Sequence, residues 1–452
     1  MIPVSAPAPS ITFCSQACLF TGEHPAEHGL PGNQFFDRFA YPPRHFAFDV
    51  GDTLAVDDAV RVFTDSLAAG RLQVPTIYEQ LAEIGKSSVV AGNMYAQGAS
   101  TWIKPSLANI ARFTKGGNLF GMSSREYDQD ILNRLIAHLQ TSGLPDLITM
   151  YFMGLDHDSH ALGPDRGQMS YLVDHIDPML SELIAALESH RPLSDFLVAL
   201  FSDHGQIGVI PDDRHSLKMG FPFDRELGHF FEALGLDVHD FPGEDPACDA
   251  VLALNGGLAY VYLQNKTGHW ADAPNFARDV LPVGRAFWEA HLEGKYAPEV
   301  QGALAGVLIR DVERAGWAAP YEALTPEEAG DPHGSLVPLG DWFAAQPVGL
   351  YLDPVNRLNH LASPLAGDIV LISNYADGYY FGSEISGVHG GLHPDDSLAT
   401  LAYGWPGASL AEWVPMGQAI LDAIGARCRA EQGRVPTTAD MWIGLQAAIS
   451  KS

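Results

Sequence analysis

Positive charge is what this sequence has least of. Its 26 lysines and arginines stand against 55 aspartates and glutamates, a formal charge of −29 over 452 residues. Nucleic-acid binding needs a basic footprint, so that class of partner is excluded. Anionic small molecules are repelled at long range too, and a site for one would need a strong local positive charge, such as metal ions. Cysteine is scarce. The four present (Cys14, Cys18, Cys248 and Cys428) form no C-x-x-C pair and read as small buried residues in a reducing compartment. No apolar run reaches the roughly 18 residues that a membrane span requires. The opening residues, MIPVSAPAPSITF, show neither the basic stretch nor the long apolar core of a signal peptide. The expectation is a cytoplasmic protein with no membrane partner; oligomeric state is not legible.

What the chain does have is an apolar run that stops abruptly. Asp195–Gly205, DFLVALFSDHG, reads as a strand buried on both faces that ends in Asp203, His204 and Gly205. A carboxylate and an imidazole at the exit of a buried strand cost several kcal/mol unless paired, hydrogen-bonded or metal-bound. A second run of the same design, Leu147–Leu155, leads into Asp156, His157, Asp158, Ser159 and His160. Between them, Gln168–His190 repeats Leu172, Ile176, Met179, Leu180, Leu183, Ile184 and Leu187 at helical spacing. Strand, helix, strand reads as a right-handed parallel unit whose strands end on one carboxyl edge, where open α/β sheets bind ligands.

The length suits one large domain with an insertion, or two domains. Helices are expected at Thr76–Ile84 and Glu126–Gln140, with a short strand at Ser87–Ala91. After Gln206 the chain turns rich in Gly, Pro and Asp. A strand at Gly257–Leu263 and helices near 275–292 and 298–314 suggest that 207–365 is an inserted α+β cap. The αβ pattern resumes with a strand at Asp368–Ile372, then GVHGGLHPDDS, a strand near Ala399–Tyr403 and a helix over roughly 416–430. The fold class expected is α/β, a mainly parallel central sheet with helices on both faces, formed by 1–206 and 366–452.

Asp156 and His160 are four apart and share a helix face if the chain turns helically after its strand, as a two-ligand metal clamp requires. Asp203 and His204 share one metal only where the backbone turns. His389 sits between glycines, where backbone approaches a ligand closely. Asp with neutral imidazole favours Zn²⁺, Mn²⁺ or Fe²⁺ over Ca²⁺. Any one of these residues reads equally well as a buried, hydrogen-bonded polar group; the full set at strand ends does not.

TFCSQACLFTGEHPAEHG, LDHDSHALGP, SDHG and GVHGG, in that order, resemble the alkaline phosphatase superfamily, and within it the nucleotide pyrophosphatase/phosphodiesterase branch. The resemblance covers roughly 1–206 and 366–405. It implies an alkaline phosphatase-like fold and a two-metal hydrolase of phosphoric esters, zinc being the favoured metal. Thr12 matches the nucleophile, and Asn33, with the backbone N–H of Phe13, matches the holder of a phosphoryl oxygen. Asp156, His160 and His389 match the ligands of one metal, Asp203 and His204 those of the second. His393 rivals His389, whereas His24, His28, His157 and Asp158 do not match ligands, and Asp395 and Asp396 read as loop caps.

The family opens with an apolar strand ending in Asp-Gly, whose Asp ligates the second metal; no such strand precedes Thr12 here. Asp49 and Asp52 lack the spacing to replace it. Either such a strand is encoded farther upstream, or the second metal position is one ligand short and the chain is an impaired or purely metal- and phosphate-binding relative. Lys104 is the one basic residue near the expected site. That favours phosphodiesters, nucleotide pyrophosphates or phosphonates over monoesters. A sulfatase is disfavoured, because Cys14-Ser15-Gln16-Ala17-Cys18 lacks the C/S-x-P-x-R pattern. The partner expected is a small phosphate ester or nucleotide.

Overall fold

Three parallel strands carry the first half of the expected unit. In the computed structural model, which describes residues 1–48, 56–115, 121–218, 226–239, 243–244, 247–325 and 335–450, Ser88–Ala91 lies between Thr101–Ile103 and Leu147–Met150. The helix Ser124–Ser142 covers this sheet with Tyr127, Ile131, Leu135 and Leu139. Ser123 caps it and Glu126 returns the bond, a capping box that fixes where the helix starts.

The DFLVALF run behaves differently from its reading. Only Val198–Phe201 is strand, paired antiparallel with Leu398–Gly404, which in turn pairs antiparallel with Ile2–Ser5. Val198 is 42% and Leu200 54% exposed. The run is therefore not buried on both faces, and among the described residues it shares no ladder with Leu147–Met150. An apolar run reads alike at a sheet's centre and at its edge, so sequence could not separate the two.

Residues 207–365 hold most of a seven-stranded sheet in which every pairing but one is antiparallel. Its central strand, Ile369–Ser373, comes from the DIVLI run and lies between Leu258–Leu263 and Leu304–Ile309. Alternation sorts the side chains: Leu252, Leu254, Ile369 and Leu371 face the helix Leu281–Glu293, while Val251, Ala253, Val370 and Ile372 face Trp342 and Leu358. The helix expected over 298–314 is instead the strand Leu304–Ile309 between single turns at Pro298–Val300 and Val312–Ala315. Six apolar residues are strand length, and a Cβ at Gly306 would meet Trp342 at 2.9 Å. The run Leu147–Leu155 is strand only to Met150, and Gly154 and Leu155 already belong to the helix Gly154–Leu162; the remaining expected helices and strands are present within a few residues of their predicted bounds, the last helix starting earlier, at Leu410. Among the described residues no helix is long and apolar enough to cross a membrane.

This sheet touches Asn33 and His389 through one hairpin tip. Asn255 Oδ1 accepts from the amides of Asn33 (2.9 Å) and Gln34 (3.1 Å), and its Nδ2 donates to Gln34 O. Gly257 N donates to His389 O at 3.1 Å. A Cβ on Gly256 would lie 1.9 Å from His389 O, and one on Gly390 the same distance from Asn255 O. The glycines around His389 are thus needed for two backbones to touch.

Candidate active site

Thr12 is the first residue of the helix Thr12–Thr21, which ends at Gly22 in the left-handed conformation (φ 77). Exposed N–H groups and the helix dipole meet at that end, a favourable place for an anion. Phe13 N donates to Asn33 Oδ1 at 2.9 Å. An N–H only donates, so this bond turns the carboxamide's oxygen to the helix and makes Nδ2 its donor end. The Phe13 amide thus orients Asn33, where the resemblance had it meeting the phosphoryl group itself.

Asp156 and His160 lie one turn apart on the helix Gly154–Leu162. His389 arrives from the Gly-flanked loop. His160 Nε2 and His389 Nε2 are 3.1 Å apart, and they lie 3.3 and 3.5 Å from Asp156 Oδ2 and Oδ1. Each ring's Nδ1 faces a backbone carbonyl, Gly387 O at 2.7 Å and Ser10 O at 3.1 Å. A carbonyl only accepts, so both Nδ1 atoms carry the hydrogen and both Nε2 lone pairs point at one spot. Ligands about 2.1 Å from a tetrahedral ion stand about 3.4 Å from one another. The three groups fit a divalent cation in spacing and in donor type.

Burial pushes the Asp156 carboxyl up, but His160, His389 and His204 outweigh it and hold it well below the usual carboxylate range. Burial, then the His204 ring, push His389 well below the usual imidazole value, which keeps it a neutral donor. Gln206 Nε2 holds Asp156 Oδ1 at 2.6 Å.

Asp203 and His204 adjoin this cluster. The His204 ring stacks on His389 with centroids 3.8 Å apart. His204 is not part of the group of three formed by Asp156, His160 and His389. Its Nδ1 donates to Gly205 O at 2.9 Å, leaving Nε2 to accept the Thr12 hydroxyl at 3.1 Å. Asp203 Oδ2 lies 3.6 Å from His204 Nε2.

The structure thus links Thr12, Asn33, Asp156, His160, Asp203, His204 and His389 through one continuous set of contacts. His393 is elsewhere, capping the turn Pro394–Ser397 through Nδ1. His28 contacts Cys18 Sγ. His24 stacks face to face on His360 and pairs with Glu431. Ser124 Oγ contacts His157 Nδ1 and donates to Asp158. Asp396 is buried under Gly391 N and Tyr375, while Asp395 is exposed. Lys104 is tied to Phe63 O and lies over the Trp102 ring. Asp49 and Asp52 fall outside the described residues.

Three supporting residues went unread. Gln16, one turn after Thr12, donates to Asp203 Oδ2 at 3.0 Å. Asp128 accepts from Met153 N, Gly154 N and the Tyr171 hydroxyl, clamping the start of the Asp156 helix. Asn255 is the third; its Asn-Gly pair between two apolar runs is a hairpin signal that would have found it.

Comparison with known proteins points the same way. The family model for type I phosphodiesterase/nucleotide pyrophosphatase matches residues 2–334. An uncharacterized pyrophosphatase/phosphodiesterase of Schizosaccharomyces pombe is 24% identical over 208 residues, 45% of this chain and 38% of that protein. The catalytic subunit of human GPI ethanolamine phosphate transferase 2 is 25% identical over 166 residues, 36% of this chain and 16% of that one. The chain thus spans well under half the length of either relative. The crystal structure of phosphonoacetate hydrolase from Sinorhizobium meliloti 1021 with phosphonoacetate aligns at TM-score 0.50 and 14% identity, covering all of this chain and 87% of that one. That likeness shows the fold, α/β and alkaline phosphatase-like.

Proposed function

Because the chain belongs to the type I phosphodiesterase/nucleotide pyrophosphatase family, we propose that it hydrolyses phosphoric esters by transferring the phosphoryl group to Thr12 and then to water. Phosphodiesters and nucleotide pyrophosphates are the favoured substrates. The observation that carries this reading is the Thr12 hydroxyl, held by His204 at a helix N-terminus beside a cation-shaped cluster.

Two divalent cations, zinc favoured, held by Asp156, His160 and His389 and by Asp203 and His204, would supply Lewis-acid stabilisation of the attacking and leaving oxygens. The chain's residues do the rest. His204 Nε2 holds the Thr12 hydroxyl in place; a cation held by Asp203 and His204 would take that lone pair instead and make the hydroxyl easier to deprotonate. In the first step the Thr12 Oγ1–P bond forms while the ester P–O bond breaks; in the second, water cleaves Oγ1–P and restores the hydroxyl. Asn33 Nδ2 is the donor proposed for the equatorial oxygens, where charge builds in the transition state. Lys104 is engaged by a carbonyl and a ring, which favours the single charge of a diester over the double charge of a monoester. Phosphonates fit the same geometry.

The test is Thr12→Ala assayed on bis-p-nitrophenyl phosphate with added Zn²⁺. Turnover should vanish; unchanged turnover would remove Thr12 from the reaction.

A further inference from the structure

The loop that brings His389 to Asp156 and His160 has few side chains with which to hold itself. Gly387, Gly390 and Gly391 surround the ring, and Gly390 stands at φ +102. Glycine carries the largest backbone freedom of any residue, and a ligand must give up such freedom to bind. The hairpin at Gly256 and Gly257 grips the His389 carbonyl from one side. Ser10 grips the loop from the other, with three bonds. Its carbonyl accepts from His389 Nδ1 at 3.1 Å. Its hydroxyl accepts from Gly390 N at 3.1 Å and donates to Gly391 O at 3.1 Å. One residue thus holds the imidazole and the two peptides that follow it.

Ser10 is fully buried, so these bonds form out of reach of bulk water. Arg357, also buried, braces the same two segments: its Nη2 donates to Pro7 O at 2.7 Å and to Gly391 O at 3.0 Å. Two residues after Ser10 the chain reaches Thr12, the first residue of its helix. The segment that carries the proposed nucleophile therefore also fixes the direction of the His389 ring.

We propose that Ser10 is a positioning residue, whose hydroxyl holds His389 in the orientation that a cation needs. With the hydroxyl in place, Nε2 is already turned toward His160 and Asp156 before metal arrives. Without it the carbonyl bond alone remains, and the loop must be ordered as the cation binds. This inference rests on the phosphoesterase reading of the Asp156, His160 and His389 cluster, but its test reads zinc rather than turnover.

Ser10→Thr and Ser10→Val put nearly the same shape at this position and differ by the hydroxyl. Zinc affinity of the chelator-treated proteins is measured against a competing chelating dye. Ser10→Thr should bind zinc as the wild type does, and Ser10→Val about 10- to 100-fold more weakly, the usual size of an outer-shell effect. Tyr403→Phe, which loses a hydroxyl bond to Met441 O, is the control for lost stability and should keep wild-type affinity. Equal affinity in the Thr and Val variants would overturn the proposal. So would an equal loss in Tyr403→Phe. If either Ser10 variant does not fold, amide exchange of the wild type decides: zinc should slow exchange in the peptide holding Gly390, and no slowing would overturn the proposal. A Thr–Val difference without ester hydrolysis by the wild type would sink the phosphoesterase reading and leave the role of Ser10 standing.

Discussion

His160 Nε2 and His389 Nε2 face each other at 3.1 Å while each ring's Nδ1 is fixed on a backbone carbonyl. Two lone pairs at that separation repel unless a proton or a metal ion lies between them, and the proposed cation would supply that. Zinc should therefore stabilise the fold, by about 2.7 kcal/mol when free metal exceeds Kd a hundredfold. Thermal melts with and without zinc measure this. In His389→Ala the shift should shrink sharply.

Asn33→Ala leaves Thr12 and the metal ligands in place but removes the donor proposed for the phosphoryl oxygens. kcat should fall about 10²- to 10³-fold with KM little changed. Steady-state kinetics on the diester separates the two constants, and a rise in KM alone would assign Asn33 to ground-state binding.

Asp128 gives the fold a pH dependence of stated sign. Burial pushes its carboxyl up to about 7, against an unfolded value of about 3.9. The folded chain then keeps a proton that the unfolded chain has released. Stability from this group is full below about pH 4 and is lost as pH rises through 7. Asp128→Asn cannot ionise and should flatten the decline in urea midpoint between pH 5 and 8. The same decline in both proteins would locate its source elsewhere.

Gly256→Ala pushes a methyl to 1.9 Å from His389 O, at a residue with φ +67. The clash and the backbone strain should cost on the order of 1–3 kcal/mol. Retained zinc should fall along with stability, since the residue displaced is a proposed ligand. A variant that keeps its metal and melts normally would show that the hairpin does not support the loop.

The candidate site residues were legible because their types are unusual at the ends of apolar runs: Asp156 and His160 after one, Asp203 and His204 after another, His389 between glycines. Their supports were not. Gln16 and Asp128 act through hydrogen bonds to partners far along the chain, and a lone polar residue inside a helix leaves no period to read. The sheets were legible as strands more than as neighbours. DIVLI read as a strand, yet only long-range pairing puts Ile369–Ser373 at the centre of the seven-stranded sheet. The run at Val198–Phe201 looked buried and is half open. The strand Leu304–Ile309 passed for helix because six apolar residues with a glycine fit either.

The central claim is that the phosphoryl group passes through Thr12. Protein turning over a p-nitrophenyl phosphodiester with zinc is quenched in acid, digested and weighed by mass spectrometry. The account predicts a phosphoryl-ester mass increment on the peptide holding Thr12, absent in Thr12→Ala together with turnover. An unmodified Thr12 peptide, with turnover surviving in Thr12→Ala, would contradict it.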